Sequence, residues 1–582
     1  MKNYLLITLG HNSSAIFVDN TSGKQKIIGY EQERLSRIKS DSQFPIDAIN
    51  EIEHNVHFSK MKGCTILISH WFNTDRKNPV CKYMTESDFD KLESYEPADI
   101  KFVSPGFTHH DAHAYSAHAF FKYHKTNIKA PVHTLVVDGF GNDEEVLSLY
   151  VSVNNEQPKL IHRVYGYHFS LGLFYQYATA FTGMKENQDE YKFLGYEAHI
   201  DEFLSDSKIA TLDKRVESFV DYLLESWNLS TDKPEACCHG LIDFEKLQTV
   251  RGFLNSIFES VLAAVDIEKE CCHSTEARCV IAYFIQSVCE NALSEFIASY
   301  GVNNLVVAGG TFYNVKLNNR LLTEINGVFC AMPLAGDQGA AIGLYEAEDK
   351  KDAPAFSFDT LSWGKRRLYN FDKYTRDNVH YYKIQEDDSE LAFVIAEEIA
   401  TRISNGKLVN VVFGNMEFGP RALGNTSTLF LPTVKNTADN NHMNKRNEVM
   451  PCAPICTYST ASELFDEQEL SRVIGSDRFM ICTHNYKKPF SNQYGGVMHH
   501  KTMSDDTYTG RPQIVRPGTF IDMILRLVNE ATDIKCLVNT SFNAHGNPIV
   551  FDTKDIIDNF NFQCEHAHPG HEPELFVVKL YE

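Results

Sequence analysis

The sequence predicts an α/β protein of two domains, and three observations lead there. Its 582 residues far exceed the roughly 100 to 200 of a single domain. Hydrophobic residues make up 43% and charged residues 23%, a globular balance that excludes a disordered chain. Short apolar runs alternate with stretches of helical periodicity, the rhythm of strands covered by helices.

Tyr4 to Leu9 is an apolar run that stops at Gly10, His11, Asn12, Ser13 and Ser14. A second run, Ala15 to Val18, and the turn residues Asp19, Asn20 and Gly23 complete a hairpin pattern whose polar connection suits an anion. Thr134 to Val137 reads as a strand ending at Asp138-Gly139, and Leu305 to Val307 as another ending at Gly309-Gly310. Between them, Val280, Phe284, Val288, Ala292 and Phe296 mark one face of a helix over Glu276 to Tyr300. The charged stretch from Glu346 to Pro354 reads as a linker, which places a domain boundary near residue 357. Beyond it, Glu390 to Ile403 is a helix and Leu408 to Phe413 a strand. No internal repeat or low-complexity tract is legible.

Charge and cysteines narrow the function classes. With 77 acidic and 55 basic residues the formal charge is −22, a field that repels polyphosphate chains and disfavours nucleic acid as a partner. The 14 cysteines follow no secretory leader, and the neighbouring pairs Cys237/Cys238 and Cys271/Cys272 do not form a disulfide framework. A reducing cytoplasm is the expected location. No run reaches the roughly 18 apolar residues of a spanning helix, so membrane insertion is not expected.

Thr108-His109-His110-Asp111-Ala112-His113 is the sharpest local signal. Residues four apart share a helix face, so His109 and His113 can offer two imidazoles to one metal ion. The plain alternative is a capped helix with a polar face. Asp138 at a strand end and Asp337 in a turn could add carboxylates, a mixed set that suits Fe²⁺, Mn²⁺ or Zn²⁺ better than calcium. Asp138-Gly139 and Gly309-Gly310 also resemble the turns by which actin-like and sugar-kinase-like folds approach nucleotide phosphates, since glycine permits close backbone approach. In the second part, four polar clusters carry Arg421, Lys445, Arg511, and Ser541 with Asn543. Guanidinium and ammonium groups in glycine-rich turns suit a phosphorylated or nucleotide ligand.

In their order these motifs resemble the O-carbamoyltransferases, the family that includes nodulation-factor, cephalosporin and tobramycin carbamoyltransferases. The resemblance is carried by His11 to Ser14, Glu33-Arg34 to Lys39 with Phe44-Pro45, His109 to His113, Asp138-Gly139, Ser170-Leu-Gly172, Gly309-Gly310 with Asn314, and Gly336-Asp337. Glu417 to Gly424, Arg511-Pro-Gln513 and Asn539 to Asn543 complete it.

The resemblance implies an actin-like, sugar-kinase-like metal-binding transfer domain over residues 1–357. It implies a YrdC-like, acyl-adenylate-forming α/β domain over 358–582. The second would make carbamoyl adenylate from carbamoyl phosphate and ATP with Mg²⁺, and the first would pass the carbamoyl group to an acceptor hydroxyl. His109, His113, Asp337 and Asp138 would hold a transition metal, Fe²⁺ first and Mn²⁺ or Zn²⁺ next. His11 or Asp138 would take the acceptor proton. Gly309, Gly310, Asn314, Arg421, Lys445, Arg511, Ser541 and Asn543 would bind nucleotide and phosphate.

A small hydroxylated metabolite is the first-choice acceptor, a 5-hydroxymethylpyrimidine nucleotide or nucleic acid the second, and a homodimer is left open. Three positions depart from the family pattern: Thr426 and Met450, where arginines are usual, and Tyr191, where glycine is usual. A metal-dependent actin-like kinase or ATPase and a non-catalytic nucleotide sensor are the competing classes.

Overall fold

The computed structural model describes every residue except 11, 22–23, 72–83, 97–98, 105, 126–127, 155, 235–242, 350–352, 447–451, 489–491, 501–506 and 582, with the side chains of 71, 492 and 500 also left aside. The result is a mixed α/β protein. The first apolar runs form β1 (Tyr4–Thr8), β2 (Ser14–Asp19) and β3 (Lys26–Glu31), an antiparallel meander, and β4 (Thr65–Trp71) and β5 (Asp99–Val103) add on in parallel beside β1. The sheet order is β3-β2-β1-β4-β5.

A second sheet repeats this plan. β6 (Val132–Val137), β7 (Glu145–Ser152) and β8 (Lys159–Tyr165) form the meander, and β9 (Leu305–Ala308) and β10 (Phe329–Ala331) run parallel beside β6, in the order β10-β9-β6-β7-β8. The shared strand order has no legible counterpart as a repeat in the sequence. A strand path is specified by backbone hydrogen bonding and alternating burial, which many side-chain sets satisfy, so duplication can persist without legible similarity.

The remaining strands are β11 (Val379–Gln385), β12 (Val409–Phe413), β13 (Thr426–Phe430), β14 (Ala453–Thr457), β15 (His484–Asn485), β16 (His499–His500), β17 (Tyr508–Gly510), β18 (Gln513–Val515), β19 (Leu537–Ser541) and β20 (Glu574–Tyr581). β15 to β17 make a small sheet, and the other seven form a mixed sheet ordered β11-β20-β12-β13-β19-β14-β18.

Of the stretch expected to be a linker, residues 350–352 lie outside the described residues. The helix Ala340–Ala347 takes in Glu346, whose carboxylate accepts the Phe356 N–H at 2.7 Å, and Ala353, Phe356 and Phe358 are buried in the core shared with β1 and the His109–His124 helix.

That core joins two helices tightly. A Cβ built on Gly343 would lie 1.7 Å from the Ala112 carbonyl oxygen, so the helix Ala340–Ala347 crosses the helix His109–His124 with no room for a side chain. Gly343→Val is therefore expected to cost about 3 kcal/mol by overpacking. Chemical denaturation followed alongside metal binding would check it, since both should fall together.

Candidate active site

The helix His109–His124 begins at a capping box, in which the Thr108 N–H donates to Asp111 and the Asp111 N–H donates to the Thr108 hydroxyl. One turn on, His109 and His113 bring their Nε2 atoms to 3.1 Å of each other. Asp138 follows β6 and Asp337 lies in the turn after β10, so both carboxylates arrive beyond the ends of two strands that flank β9 in the second sheet.

Asp138 Oδ2 lies 3.4 Å from each imidazole Nε2, and Asp337 Oδ1 lies 3.3 Å from His109 and 3.7 Å from His113. Around one ion with tetrahedral bonds near 2 Å, neighbouring donors stand about 3.3 Å apart. The four residues fit a single cation, and they are the one such group among the described residues. Two carboxylates balance a divalent charge, and two imidazoles favour a transition metal.

Asp138 is aimed by the backbone. Its Oδ1 accepts the N–H groups of Gly139 at 2.8 Å and Gly310 at 3.1 Å. This needs β6 and β9 to end almost in contact: Gly309 has φ +100°, and a Cβ there would stand 2.1 Å from the Val137 carbonyl oxygen. Asn314 caps the helix Val315–Glu324 and pairs with Gln286, so it shapes the loop after Gly310.

The electrostatics follow from burial and pairing. Burial lowers the His109 pKa, but hydrogen bonds to Asp138 and Asp337 outweigh it and hold the ring up at about 10. His113 is raised by the same pair against the same burial. Burial would raise both carboxylates, yet the two imidazoles pull Asp138 and Asp337 well below the usual range. His110 points elsewhere, to the Ser148 hydroxyl at 2.9 Å, and burial with the Arg163 charge holds its pKa well down. Glu145 ties the helix start in place by accepting the His110 N–H and the Thr108 hydroxyl.

A second cluster lies in the C-terminal half. Glu417 accepts the N–H groups of Leu423, Asn425 and Thr426 and the Thr426 hydroxyl, winding residues 417–426 into a compact loop that carries Arg421. Gln513 donates to the Leu423 carbonyl, and Asn539 donates to both Gln513 and the Ala422 carbonyl.

Arg421, Arg446 and Arg511 converge here. Burial lowers the pKa of each, and the neighbouring Arg421 charge lowers Arg511 further. The groups that oppose this are Tyr191, Tyr313 and Cys452, with no carboxylate among them. Among the described residues the buried Nε of Arg421 has no hydrogen-bond partner. Half-buried guanidinium groups opposed by no carboxylate have the chemistry to receive an anion.

Lys445 stands apart from that cluster. It adopts φ +53°, is exposed, and sets its ammonium 5.1 Å from the Phe562 ring centre. The next residue, Arg446, turns inward and donates to Thr540, the Ser541 carbonyl at 2.7 Å and Asn543. Ser541 and Asn543 thus hold an arginine that the sequence reading passed over. The available signal was the pair of adjacent cations, and the left-handed backbone at Lys445 decides which one faces in.

At Thr426, Arg366 supplies a guanidinium from another segment, donating to the hydroxyl and to the Asn425 carbonyl. Tyr191 faces the three arginines from the helix Glu190–Tyr196, whose Lys192 meets His545 at 3.0 Å. His11 and Met450 lie outside the described residues.

The two clusters share a wall. Tyr313 acts electrostatically on Arg421, donates to Gln338 at 3.2 Å, and packs its ring against Gly336, next to Asp337.

Comparison with known proteins finds family matches over two segments of the chain. Residues 5–345 match the family model described as carbamoyltransferase N-terminus, and residues 400–566 match the one described as carbamoyltransferase C-terminus. MJ1051 of Methanocaldococcus jannaschii is 27% identical over 575 residues, covering 95% of both chains. The nodulation protein NolO of Bradyrhizobium diazoefficiens is 27% identical over 473 residues, or 78% of this chain and 75% of that one. HypF of T. kodakarensis overlaps at 15% identity and a TM-score of 0.29, over 59% of this chain and 47% of its own, too slight a likeness to bear on this protein. With both family models matched in order and the first spanning more than half of the residues, the chain belongs to the carbamoyltransferase family and is a carbamoyl-transferring enzyme.

Proposed function

We propose that the protein is an ATP-dependent O-carbamoyltransferase with two sites, an adenylate-forming site in the C-terminal half and a transfer site in the N-terminal half. The shared wall of Tyr313, between the arginine cluster and the Asp337 turn, supports the reading best. In this reading the phosphates and the cation would be held on either side of that ring.

In the first step, carbamoyl phosphate, ATP and one water give carbamoyl adenylate, pyrophosphate and phosphate. Arg421, Arg446 and Arg511 neutralise the anionic oxygens, and their fixed placement means no reorganisation is needed as charge moves. Mg²⁺ would accompany the nucleotide. Carbamoyl adenylate hydrolyses if released, so a short buried path favours its use over its loss.

In the second step the carbamoyl carbon bonds to the acceptor oxygen, AMP leaves, and the acceptor proton is taken up by the protein. A transition metal held by His109, His113, Asp138 and Asp337 would supply Lewis acidity toward the adenylate. Asp138 already accepts two N–H groups and faces both imidazoles, which keeps it a weak base. His11 or Asp138 would take the proton, Asp138 being the less basic for these contacts. A small hydroxylated metabolite is the acceptor this reading favours, because the −22 charge repels a polynucleotide.

The test is incubation with ATP, carbamoyl phosphate and Mg²⁺. Release of pyrophosphate is expected, and formation of ADP in its place would show kinase-type chemistry instead. Mass spectrometry over a panel of hydroxylated acceptors, including hydroxymethylated pyrimidine nucleotides, should find one that gains a carbamoyl group.

A further inference from the structure

The loop that carries Arg421 is gripped from outside as well as from within. Arg34, in the helix Gln32–Ser36, donates from Nη2 to the Gly419 carbonyl at 2.7 Å. On the same residue, the Gly419 N–H donates to Glu31 Oε2 at 3.2 Å. Arg34 is paired with Glu31 at 2.9 Å and with Glu33 at 3.3 Å, and all three side chains are 3% exposed or less. Glu33 in turn accepts the Ser40 N–H at 2.8 Å and pairs with Lys39.

Gly419 leaves no slack in this arrangement. Its φ is +103°, and a Cβ there would stand 2.7 Å from Leu334, three residues before Asp337. The loop is thus pressed against the turn that leads to the cation-binding carboxylate. Only Pro420 separates the gripped residue from Arg421, so the direction of the Arg421 side chain depends on the Gly419 backbone.

We propose that Glu31 and Arg34 are positioning residues for the adenylation site, so that the N-terminal half sets where Arg421 meets its anion. The proposal rests on the reading of Arg421 as a phosphate ligand given above. Its physical basis is the shape of the guanidinium. One planar fork serves the Gly419 carbonyl and two carboxylates together, which a lysine ammonium cannot do from one position. Both side chains are enclosed by protein, at 1% and 2% exposed, so the effect acts through the loop.

Pyrophosphate release, measured against carbamoyl phosphate and ATP separately, tests this. Arg34→Lys is expected to raise KM for carbamoyl phosphate about tenfold or more, because the charge stays but the second anchor goes. Glu31→Gln keeps an acceptor for the Gly419 N–H and should shift KM in the same direction by less. Metal content and melting midpoint should stay close to those of the unchanged protein, which separates positioning from general damage.

A KM within twofold of the unchanged protein in a folded Arg34→Lys enzyme would overturn the proposal. So would a fall in kcat that tracks the loss of folded protein with KM unmoved. Should Arg34→Lys fail to fold, Glu31→Gln is judged by the same criterion. If the unchanged protein releases no pyrophosphate, the adenylation reading falls first and this proposal falls with it.

Discussion

His109→Ala is expected to lower carbamoyl transfer about a thousandfold or more while leaving pyrophosphate release within a few fold of the unchanged enzyme. A bound cation contributes several kcal/mol to the transition state, and each 1.36 kcal/mol is a factor of about ten. His109 sits within 3.4 Å of every other donor atom of the set, so its loss removes the closest common neighbour. Elemental analysis of the purified variant should show the transition metal depleted, and separate assays of the two half-reactions should show the split. Equal losses in both would mean that the two sites do not divide the chemistry, and a variant that keeps full transfer would remove the cation from it. Asp337→Asn offers a gentler check, because it keeps an oxygen donor and removes only the charge.

Arg511→Met should act in two directions at once. Pyrophosphate release is expected to drop about a hundredfold, the usual cost of one fixed charge-stabilising donor. Stability should rise by up to about 1 kcal/mol, because an apolar chain in place of a half-buried cation beside another cation relieves like-charge repulsion and part of a desolvation penalty. Arg511 is half-buried beside the Arg421 charge, and desolvation and that charge both lower its pKa. Thermal unfolding with and without carbamoyl phosphate would read both effects. The unchanged protein should gain stability on adding the ligand, and the variant should begin higher and gain little. An Arg511→Met protein that unfolds more easily would mean that an anion is not what the cluster awaits.

The difference between Lys445 and Arg446 shows where reading a sequence ends. Both are cations in one polar turn, and composition does not separate them. A single left-handed residue sends Lys445 over an aromatic ring in solvent and turns Arg446 to Ser541 and Asn543. The duplicated sheet order was equally hidden, because strand pairing is a property of the backbone path.

What the residues alone determined is whatever has a short period or a local cause. The helical repeat places His109 and His113 on one face, alternating apolar runs make the strands of the first two sheets, and the ordered motifs mark a carbamoyltransferase. What tertiary structure decided is which distant groups meet. Asp138 and Asp337 reach the same two imidazoles because β6, β9 and β10 lie side by side and end together. Gly419 reaches Glu31 and Arg34 because two halves of the chain close on one loop. Such meetings depend on the packing of whole sheets and helices, and no short stretch of sequence contains that information.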